Sequence, residues 1–268
     1  MPELPEVETA RRSLERTVVG KGIASVDVRS PASVRTHQPA AFVRTLKGLK
    51  IEDVTRRGKT LLFRLSRGWT LVFHFKLWGL IRFSPAGSTA DDRAAVVIGF
   101  RDGSAMEFRE LQLSEIGLHQ TDALDRVEYL ATLGIEPLSP ACTDRRFREL
   151  LQGRGAVRSL LTDQERIAGI GNLWAHEILH EARIRPDREA QSLAKEEITR
   201  LYQSVKRVLR EAIRAGGEPE FVDAAGRTGR WRLRVYGRGG QPCPRSDGTV
   251  KATRLGGRPS FYCPACQR

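Results

Sequence analysis

The sequence predicts an α+β protein of more than one domain, with an antiparallel β-sandwich at the N-terminal end and a helical domain after it. Three observations carry this expectation. The chain has 268 residues, and at roughly 100–200 residues per domain that length favours two modest domains over one large core. From about residue 23 to 107 short β-rich runs follow one another, and no helix of crossover length separates them, which favours antiparallel over parallel pairing. Around Gly134-Ile-Glu-Pro-Leu-Ser-Pro140 two prolines and a glycine interrupt the pattern, and beyond them the periodicity turns helical.

Taken in order, the chain opens on a short helix. Pro5 suits its first turn, Val7, Ala10, Leu14 and Val18 recur at helical spacing, and Gly20 marks its stop. Glu6 and Glu8 suit its positive end. The β-rich runs include 59–65, 69–75 and 94–100, punctuated by Arg67-Gly68 and by Asp102-Gly103, a strong hairpin signal. Past the boundary, Thr143 is placed to cap a helix, and the turn Gly169-Ile-Gly-Asn172 precedes a second helical stretch over 173–182. Ser192 is expected to cap the clearest helix, in which Ile198, Leu201, Tyr202, Val205, Leu209, Ala212 and Ile213 form one stripe before Gly216-Gly217. A Gly- and Arg-rich tail with alternating runs closes the chain from 222 to 268.

Composition narrows the function class. With 40% hydrophobic and 29% charged residues the chain is neither wholly disordered nor fibrous. No apolar run approaches the roughly 20 residues a bilayer span needs, and the N-terminus lacks the order of a signal peptide, so a cytoplasmic protein without a membrane partner is expected. Charge is the departure from the ordinary: 45 Lys and Arg against 32 Asp and Glu give +13, dispersed along the chain. A folded basic face for a polyanion follows, and nucleic acid is the commonest polyanion.

Three of the four cysteines fall in the last 26 residues. Cys263-x-x-Cys266 is one half of a four-ligand zinc ribbon and Cys243 begins the other, but its partner position holds Ser246, a hydroxyl where an ionisable thiol is wanted. Two readings stand: zinc on three thiolates, completed by water or Asp247, or a β-hairpin held by apolar packing alone. Cys142, in the linker, is a bystander. The glycine turn can aim backbone N–H groups and the next helix's N-terminus at a phosphate, with Arg154, Arg158 and Arg166 just upstream, or it can simply be a tight turn. At the N-terminus, removal of Met1 before the small Pro2 leaves a secondary amine that is partly neutral at physiological pH and can attack an electrophilic carbon, with Glu3 beside it to move a proton. The plainer reading is a helix approach carrying a terminal charge.

Six motifs in register then point one way. Met1-Pro-Glu-Leu-Pro-Glu-Val-Glu-Thr9, Arg57-Gly-Lys59, Gly155-Ala-Val-Arg-Ser-Leu-Leu161, Gly169-Ile-Gly-Asn-Leu-Trp-Ala-His-Glu177, Val235-Tyr-Gly-Arg238 and Gly256-Gly-Arg-Pro-Ser-Phe-Tyr-Cys263-Pro-Ala-Cys-Gln267 resemble the formamidopyrimidine-DNA glycosylase / endonuclease VIII family over nearly the whole chain, in its formamidopyrimidine-like branch. The resemblance implies a β-sandwich over 1–134, a helix–two-turn–helix domain over 135–234 and a zinc-finger-like hairpin over 235–268. It implies a monomer that acts on DNA carrying damaged bases or abasic sites, held between the domains, with zinc and no organic cofactor. Pro2 would be the nucleophile at C1′ and Glu3 its acid/base. Lys59 would contact phosphate and assist β-elimination, and Arg258 would grip phosphates beside the lesion and serve δ-elimination. His74, Leu77, Arg93, Arg154, Arg158, Gly171 and Asn172 would touch DNA, and Cys243, Cys263 and Cys266 would hold the metal.

Departures from the family pattern bear on lesion choice. His74-Phe-Lys-Leu-Trp-Gly79 carries Leu77 where a wedge methionine is common, and 108–117 lacks the family's Asp-Pro-Arg-Arg-Phe-Gly, with its arginine that probes the opposite base. Arg158 stands where a lysine is common. The loop at 217–223 is about two residues short by alignment to the pattern. Bulky, alkylated, cross-linked or single-stranded substrates are therefore open to it. A non-catalytic damaged-DNA-binding protein is the competing class, and retention of Pro2, Glu3 and Lys59 speaks against it. An RNA-binding protein using the same helical turn would leave the N-terminal residues unexplained.

Overall fold

The computed structural model describes residues 1–76, 79–109 and 115–268. They divide into two compact units, Met1–Ala131 with Pro219–Arg230, and Thr132–Glu218 with Trp231–Arg268. No helix among the described residues is long and apolar enough to cross a membrane.

The first unit opens with α1 (Leu4–Val18), whose Leu4, Val7, Leu14 and Val18 are buried on one face as their spacing predicts. It continues through β1 (Ile23–Val28), α2 (Pro39–Leu46), β2 (Ile51–Arg57), β3 (Thr60–Leu65), β4 (Trp69–His74), β5 (Leu80–Ser84), β6 (Ala94–Phe100), β7 (Ala105–Arg109), β8 (Glu115–Gln120) and α3 (Glu128–Ala131). The strands form two antiparallel sheets, ordered β1-β6-β7-β5 and β2-β3-β4-β8. One hydrophobic core serves both. The sheets meet through aromatic rings, Phe73 of β4 lying 5.1 Å from Phe108 of β7 edge-to-face, with Phe63 of β3 at 6.4 Å from the same ring. Asp102-Gly103 makes the β6–β7 turn with Gly103 at φ +82°. The sequence reading passed over α2 because only Phe42 and Leu46 of its eight residues are buried, too few for a visible stripe.

The segment Pro219–Arg230, assigned on sequence to the helical domain, packs instead on the sandwich. Phe221 and Ala224 join the sandwich core, and the Ala224 carbonyl accepts the Phe83 N–H at 2.8 Å.

The second unit contains α4 (Asp144–Leu150), α5 (Val157–Thr162), α6 (Asn172–Ala182), α7 (Lys195–Arg214) and the hairpin of β9 (Lys251–Leu255) with β10 (Arg258–Tyr262). Thr143 caps α4, its hydroxyl accepting the Arg146 N–H at 3.2 Å. Ser192 does not cap α7. Its hydroxyl donates to the Glu189 carbonyl within a 3₁₀ turn, and the helix starts at Lys195, where the Glu197 carboxyl accepts the Ala194 N–H at 3.0 Å. A carboxylate three residues into the helix meets an orphan N–H that the hydroxyl, two residues before Ala194, does not serve.

Gly134 is required by close approach. A Cβ there would stand 2.3 Å from the carbonyl carbon and oxygen of Arg166 and 2.4 Å from the Glu165 oxygen. The contact exists because Gly134 N–H donates to the Gln164 carbonyl at 2.7 Å and Ile135 N–H to that of Arg166 at 3.0 Å. Gly134→Ala is expected to destabilise the helical unit by about 3 kcal/mol, the upper range for overpacking against backbone. Urea unfolding followed by tryptophan fluorescence measures it, and a loss below about 0.5 kcal/mol would mean the strand of chain simply shifts.

Candidate active site

In the first unit the candidate residues lie at the start of α1 and at the β2–β3 turn. Pro2 is half-buried and directly precedes Glu3, which is 2% exposed. Met1 is 44% exposed. The Glu6 carboxyl accepts the Glu3 N–H at 3.0 Å, and the Glu3 carbonyl accepts the Val7 N–H at 3.0 Å, so the first turn of α1 fixes the backbone on which Pro2 and Glu3 sit. Glu8 of α1 pairs with Arg56 of β2 at 3.2 Å, and Arg56 donates to the Gly58 carbonyl at 2.9 Å. That chain of contacts ties the helix start to the turn bearing Lys59.

Lys59 directly precedes Thr60, which is paired with His74 across β3 and β4. His74 accepts the Lys76 N–H on Nδ1 at 2.9 Å and lies edge-on to Tyr129 at 5.6 Å. Burial lowers its pKa to about 4, and the charges of Lys76 and Lys59 act the same way against the opposing pull of Glu115. His74 is thus a neutral imidazole beside two ammonium groups. Arg93 is largely exposed and pairs with Asp91 at 3.2 Å. Arg109 does not face outward: it is buried against Glu107 at 2.6 Å and Asp91 at 2.7 Å. Leu77, and residues 110–114 of the stretch that lacks the family's arginine motif, lie outside the described residues.

In the second unit two guanidinium groups lie near each other where the glycine turn meets the hairpin. Gln164 holds the turn by its side-chain amide, which accepts the Gly169 N–H at 2.9 Å and donates to the Ile170 carbonyl at 2.7 Å. Gly171 is the N-cap of α6 and Asn172 its first residue. Arg158, 4% exposed, donates to Asn172 Oδ1 at 2.7 Å and to the Leu255 carbonyl at 2.7 Å, while Asn172 Nδ2 donates to the Pro259 carbonyl at 3.1 Å. Burial and the neighbouring charge of Arg258 both lower the Arg158 pKa, so two guanidinium groups share this corner. The Nε of Arg158 is buried without a partner. Gly256 and Gly257, at φ +56° and +74°, make the tight hairpin turn that presents the exposed Arg258. Arg154 is exposed upstream of α5.

His176 links α6 to β10, donating from Nδ1 to the Asn172 carbonyl at 2.6 Å and accepting the Ser260 hydroxyl on Nε2 at 3.0 Å. Burial lowers its pKa to about 4, with Arg158 adding to the effect and the Asn172 bond opposing it. An unfolded histidine titrates near 6.5, so between about pH 6.5 and 4 the unfolded chain binds a proton that the folded one refuses. The contribution is whole above about pH 6.5 and is lost progressively down to about pH 4. In His176→Gln the fall in stability of this unit over that window is expected to be shallower than in the parent, and an unchanged slope would refute the assignment.

At the far end of the hairpin, Cys243 Sγ lies 3.8 Å from Cys266 Sγ, and Cys263 Sγ lies 3.4 Å from Ser246 Oγ. His180 Nε2 is 3.3 Å from Cys243 Sγ, and the donor atoms of His180, Cys243 and Cys266 all lie within 4.8 Å of one another. Asp247 is exposed, and Cys142 is buried elsewhere, its carbonyl accepting the Tyr202 hydroxyl at 2.9 Å.

A family model of the formamidopyrimidine-DNA glycosylase N-terminal domain matches residues 1–113, and that of its H2TH domain matches 133–221. The formamidopyrimidine-DNA glycosylase of Pelotomaculum thermopropionicum is 39% identical over 274 residues, covering 100% of this chain and 99% of the relative. The chain belongs to the formamidopyrimidine-DNA glycosylase family. That of Desulfitobacterium hafniense is 37% identical over 272 residues, with 100% of both chains covered. Among solved structures, a Lactococcus lactis Fpg in complex with abasic-site DNA superposes with TM-score 0.91 at 30% identity, covering 99% of each chain. The same enzyme with an N7-benzyl-Fapy-dG DNA gives 0.91 at 31%, covering 100% of each.

Against the formamidopyrimidine-DNA glycosylase pattern, the donors gathered here suit a soft or borderline metal ion: the buried Cys243 thiol, the half-buried Cys266 thiol and the buried His180 imidazole of α6. Sequence reasoning missed Gln164, His176 and His180. Gln164 acts through backbone groups that no motif advertises, and His176, although it lies within the Gly169–Glu177 motif, shows its role only through the Asn172 carbonyl and the distant Ser260 hydroxyl. For His180 a signal was present: a histidine on the buried side of a helix, in a chain with one zinc ligand missing.

Proposed function

We propose that the protein is a bifunctional DNA glycosylase and abasic-site lyase of base-excision repair. The observation that carries this reading is the N-terminal turn, with half-buried Pro2 directly before buried Glu3 on a helix start tied to the Lys59 turn. Once Met1 is removed, the Pro2 nitrogen attacks C1′ of the damaged nucleotide and displaces the base, and Glu3 moves the proton that sugar opening requires. The resulting iminium acidifies C2′, so β-elimination follows from the same adduct, with Lys59 assisting at the phosphate. Reaching C1′ requires the nucleotide to leave the stack, which demands firm grips on the flanking phosphates. The exposed Arg258 supplies donors for one such grip, with Gly171, Asn172 and Arg158 beside it exchanging internal hydrogen bonds for phosphate, and Arg154, Arg93 and His74 supply others. Arg258 is also assigned to δ-elimination. Leu77 is the wedge. Zinc held by the hairpin thiolates supplies a structural cross-link and no reaction step.

Lesion choice is shifted from oxidised purines toward bulkier, alkylated, cross-linked or single-stranded substrates, because the residues that read the opposite base and cover the lesion depart from the family pattern. The relatives' complexes support breadth, since Lactococcus lactis Fpg has been captured with an oxidised pyrimidine as well as with an N7-benzyl-Fapy-dG.

Borohydride trapping on a panel of DNAs carrying an abasic site, 8-oxoguanine, a formamidopyrimidine and a cross-link tests the proposal. A covalent adduct on the abasic site and on at least one lesion is expected. No adduct on any of them would leave a non-catalytic damaged-DNA binder.

A further inference from the structure

The hairpin supplies three thiols for a site that takes four ligands, and the position from which the fourth would come is Ser246. The Ser246 hydroxyl is engaged otherwise: it accepts the Gly248 N–H at 3.3 Å, which leaves its own proton to point at Cys263 Sγ, 3.4 Å away. A nitrogen donor arrives from a different element. His180, in the last turn of α6 and 1% exposed, brings Nε2 to 3.3 Å from Cys243 Sγ, itself 3.8 Å from Cys266 Sγ. Around one tetrahedral ion with metal–sulfur bonds of about 2.3 Å and metal–nitrogen bonds of about 2.0–2.1 Å, ligand atoms stand about 3.8 Å apart for sulfur pairs and about 3.5 Å for nitrogen and sulfur. The two separations match that arrangement for His180, Cys243 and Cys266, while Cys263, whose thiol lies 3.4 Å from Ser246 Oγ, would turn toward them to complete it. Among the described residues the ring's hydrogen bonding is limited to the Cys243 thiol at Nε2, and His180 Nδ1 is buried without a partner, so the ring is aimed at the sulfur atoms rather than at a backbone or carboxylate group.

The surroundings hold the helix end and the cysteine turns together. Arg245, between Cys243 and Ser246, donates to the carbonyls of His180 at 2.8 Å and Glu181 at 3.1 Å and to the Glu181 carboxyl at 2.5 Å. From the other cysteine turn, Gln267 Nε2 donates to the Ile184 carbonyl at 2.8 Å, and its Oε1 accepts the Cys263 N–H at 2.8 Å. His180 is therefore fixed against the sulfur atoms by contacts on both sides.

We propose that His180 is the fourth ligand of a Cys3His zinc site with Cys243, Cys263 and Cys266, replacing the thiol that Ser246 lacks. The proposal rests on the reading that the hairpin holds zinc. It makes the metal a bond between the hairpin carrying Arg258 and the helix whose first residue is Asn172, so that loading orders the whole phosphate grip.

X-ray absorption at the zinc edge of the purified full chain is the test, with metal content measured alongside. About one zinc per chain is expected, with three sulfur ligands at about 2.3 Å, one nitrogen at about 2.0–2.1 Å and the outer-shell scattering of an imidazole. His180→Ala should lose that scattering and surrender zinc to a chelator at least tenfold more readily, the smallest effect usual even for residues that only support ligands. His180→Cys should keep zinc with four sulfur ligands and, loaded with Co²⁺, show stronger thiolate-to-metal charge transfer than the parent. It answers the question if the alanine variant fails to fold. Zinc bound with no imidazole scattering, or an unaltered Co²⁺ spectrum in His180→Cys, overturns the His180 assignment alone. A zinc-free parent overturns the zinc reading with it.

Discussion

Replacement of Pro2 by glycine is expected to slow strand nicking at an abasic site on the order of 10²-fold, the cost of a misplaced reacting atom, while binding to a non-cleavable abasic analogue changes by less than about threefold. Glycine keeps an amine, so the chemistry is not removed outright. What it loses is the ring that fixes φ near −65° and makes the nitrogen secondary, on a turn that Glu6 and Val7 otherwise hold in place. A second variant separates nucleophile from scaffold. Extending the chain at its N-terminus so that Met1 is retained turns the Pro2 nitrogen into an amide, whose lone pair is delocalised into the carbonyl. Borohydride trapping should then vanish entirely, with binding intact. Equal losses of nicking and binding in Pro2→Gly would mean that Pro2 only shapes the helix start.

Removing the carboxyl of Glu177 is expected to be the most damaging single change to the helical unit. Glu177 is 0% exposed on α6 and accepts the Trp231 indole N–H at 3.1 Å and the backbone N–H groups of Arg234, Val235 and Tyr236 at 3.0–3.1 Å. One side chain thus satisfies four donors of the segment leading from the sandwich loop to the hairpin. Glu177→Ala leaves those donors dry, at about 1–3 kcal/mol for each that finds no new partner. Some will reach water, so a net loss of about 4 kcal/mol is expected. Trp174 and Trp231 lie 5.3 Å apart and report on this unit by fluorescence. Because two units need not unfold together, amide exchange at 234–236 is the sharper measure: protection there should fall at least as far as global stability. Glu177→Gln keeps one carbonyl acceptor and should lie between the two. A loss under about 1 kcal/mol in the alanine variant would mean the segment is held by its other contacts, such as Arg234 on Glu181 at 2.5 Å and over Trp231 at 5.0 Å.

Local signals made much of this molecule legible. The stripe of α1, the Asp102-Gly103 turn and the Thr143 cap depend on residues within a few positions of each other, and each lies where its pattern puts it. The α7 start misled because two polar residues competed for it: Glu197 reaches the Ala194 N–H, whereas Ser192 closes a turn of its own. Pro219–Arg230 misled for a different reason. Its place is set by Phe221 and Ala224 entering a core built mostly from residues 7–118, and no local pattern records that choice.

By itself the sequence determined the family, through six motifs in order, and it supplies the residue types on which the proposed chemistry rests, Pro2, Glu3 and Lys59. Only the tertiary structure decided which distant residues brace the helical unit and its hairpin: Arg158 against Asn172, Gln164 under the glycine turn, Glu177 beneath the hairpin's approach and His180 at the cysteine sulfur atoms. The physical reason is separation along the chain. His180 and Cys243 are 63 residues apart, and a contact of that kind is specified by how two elements pack, which local propensity does not encode.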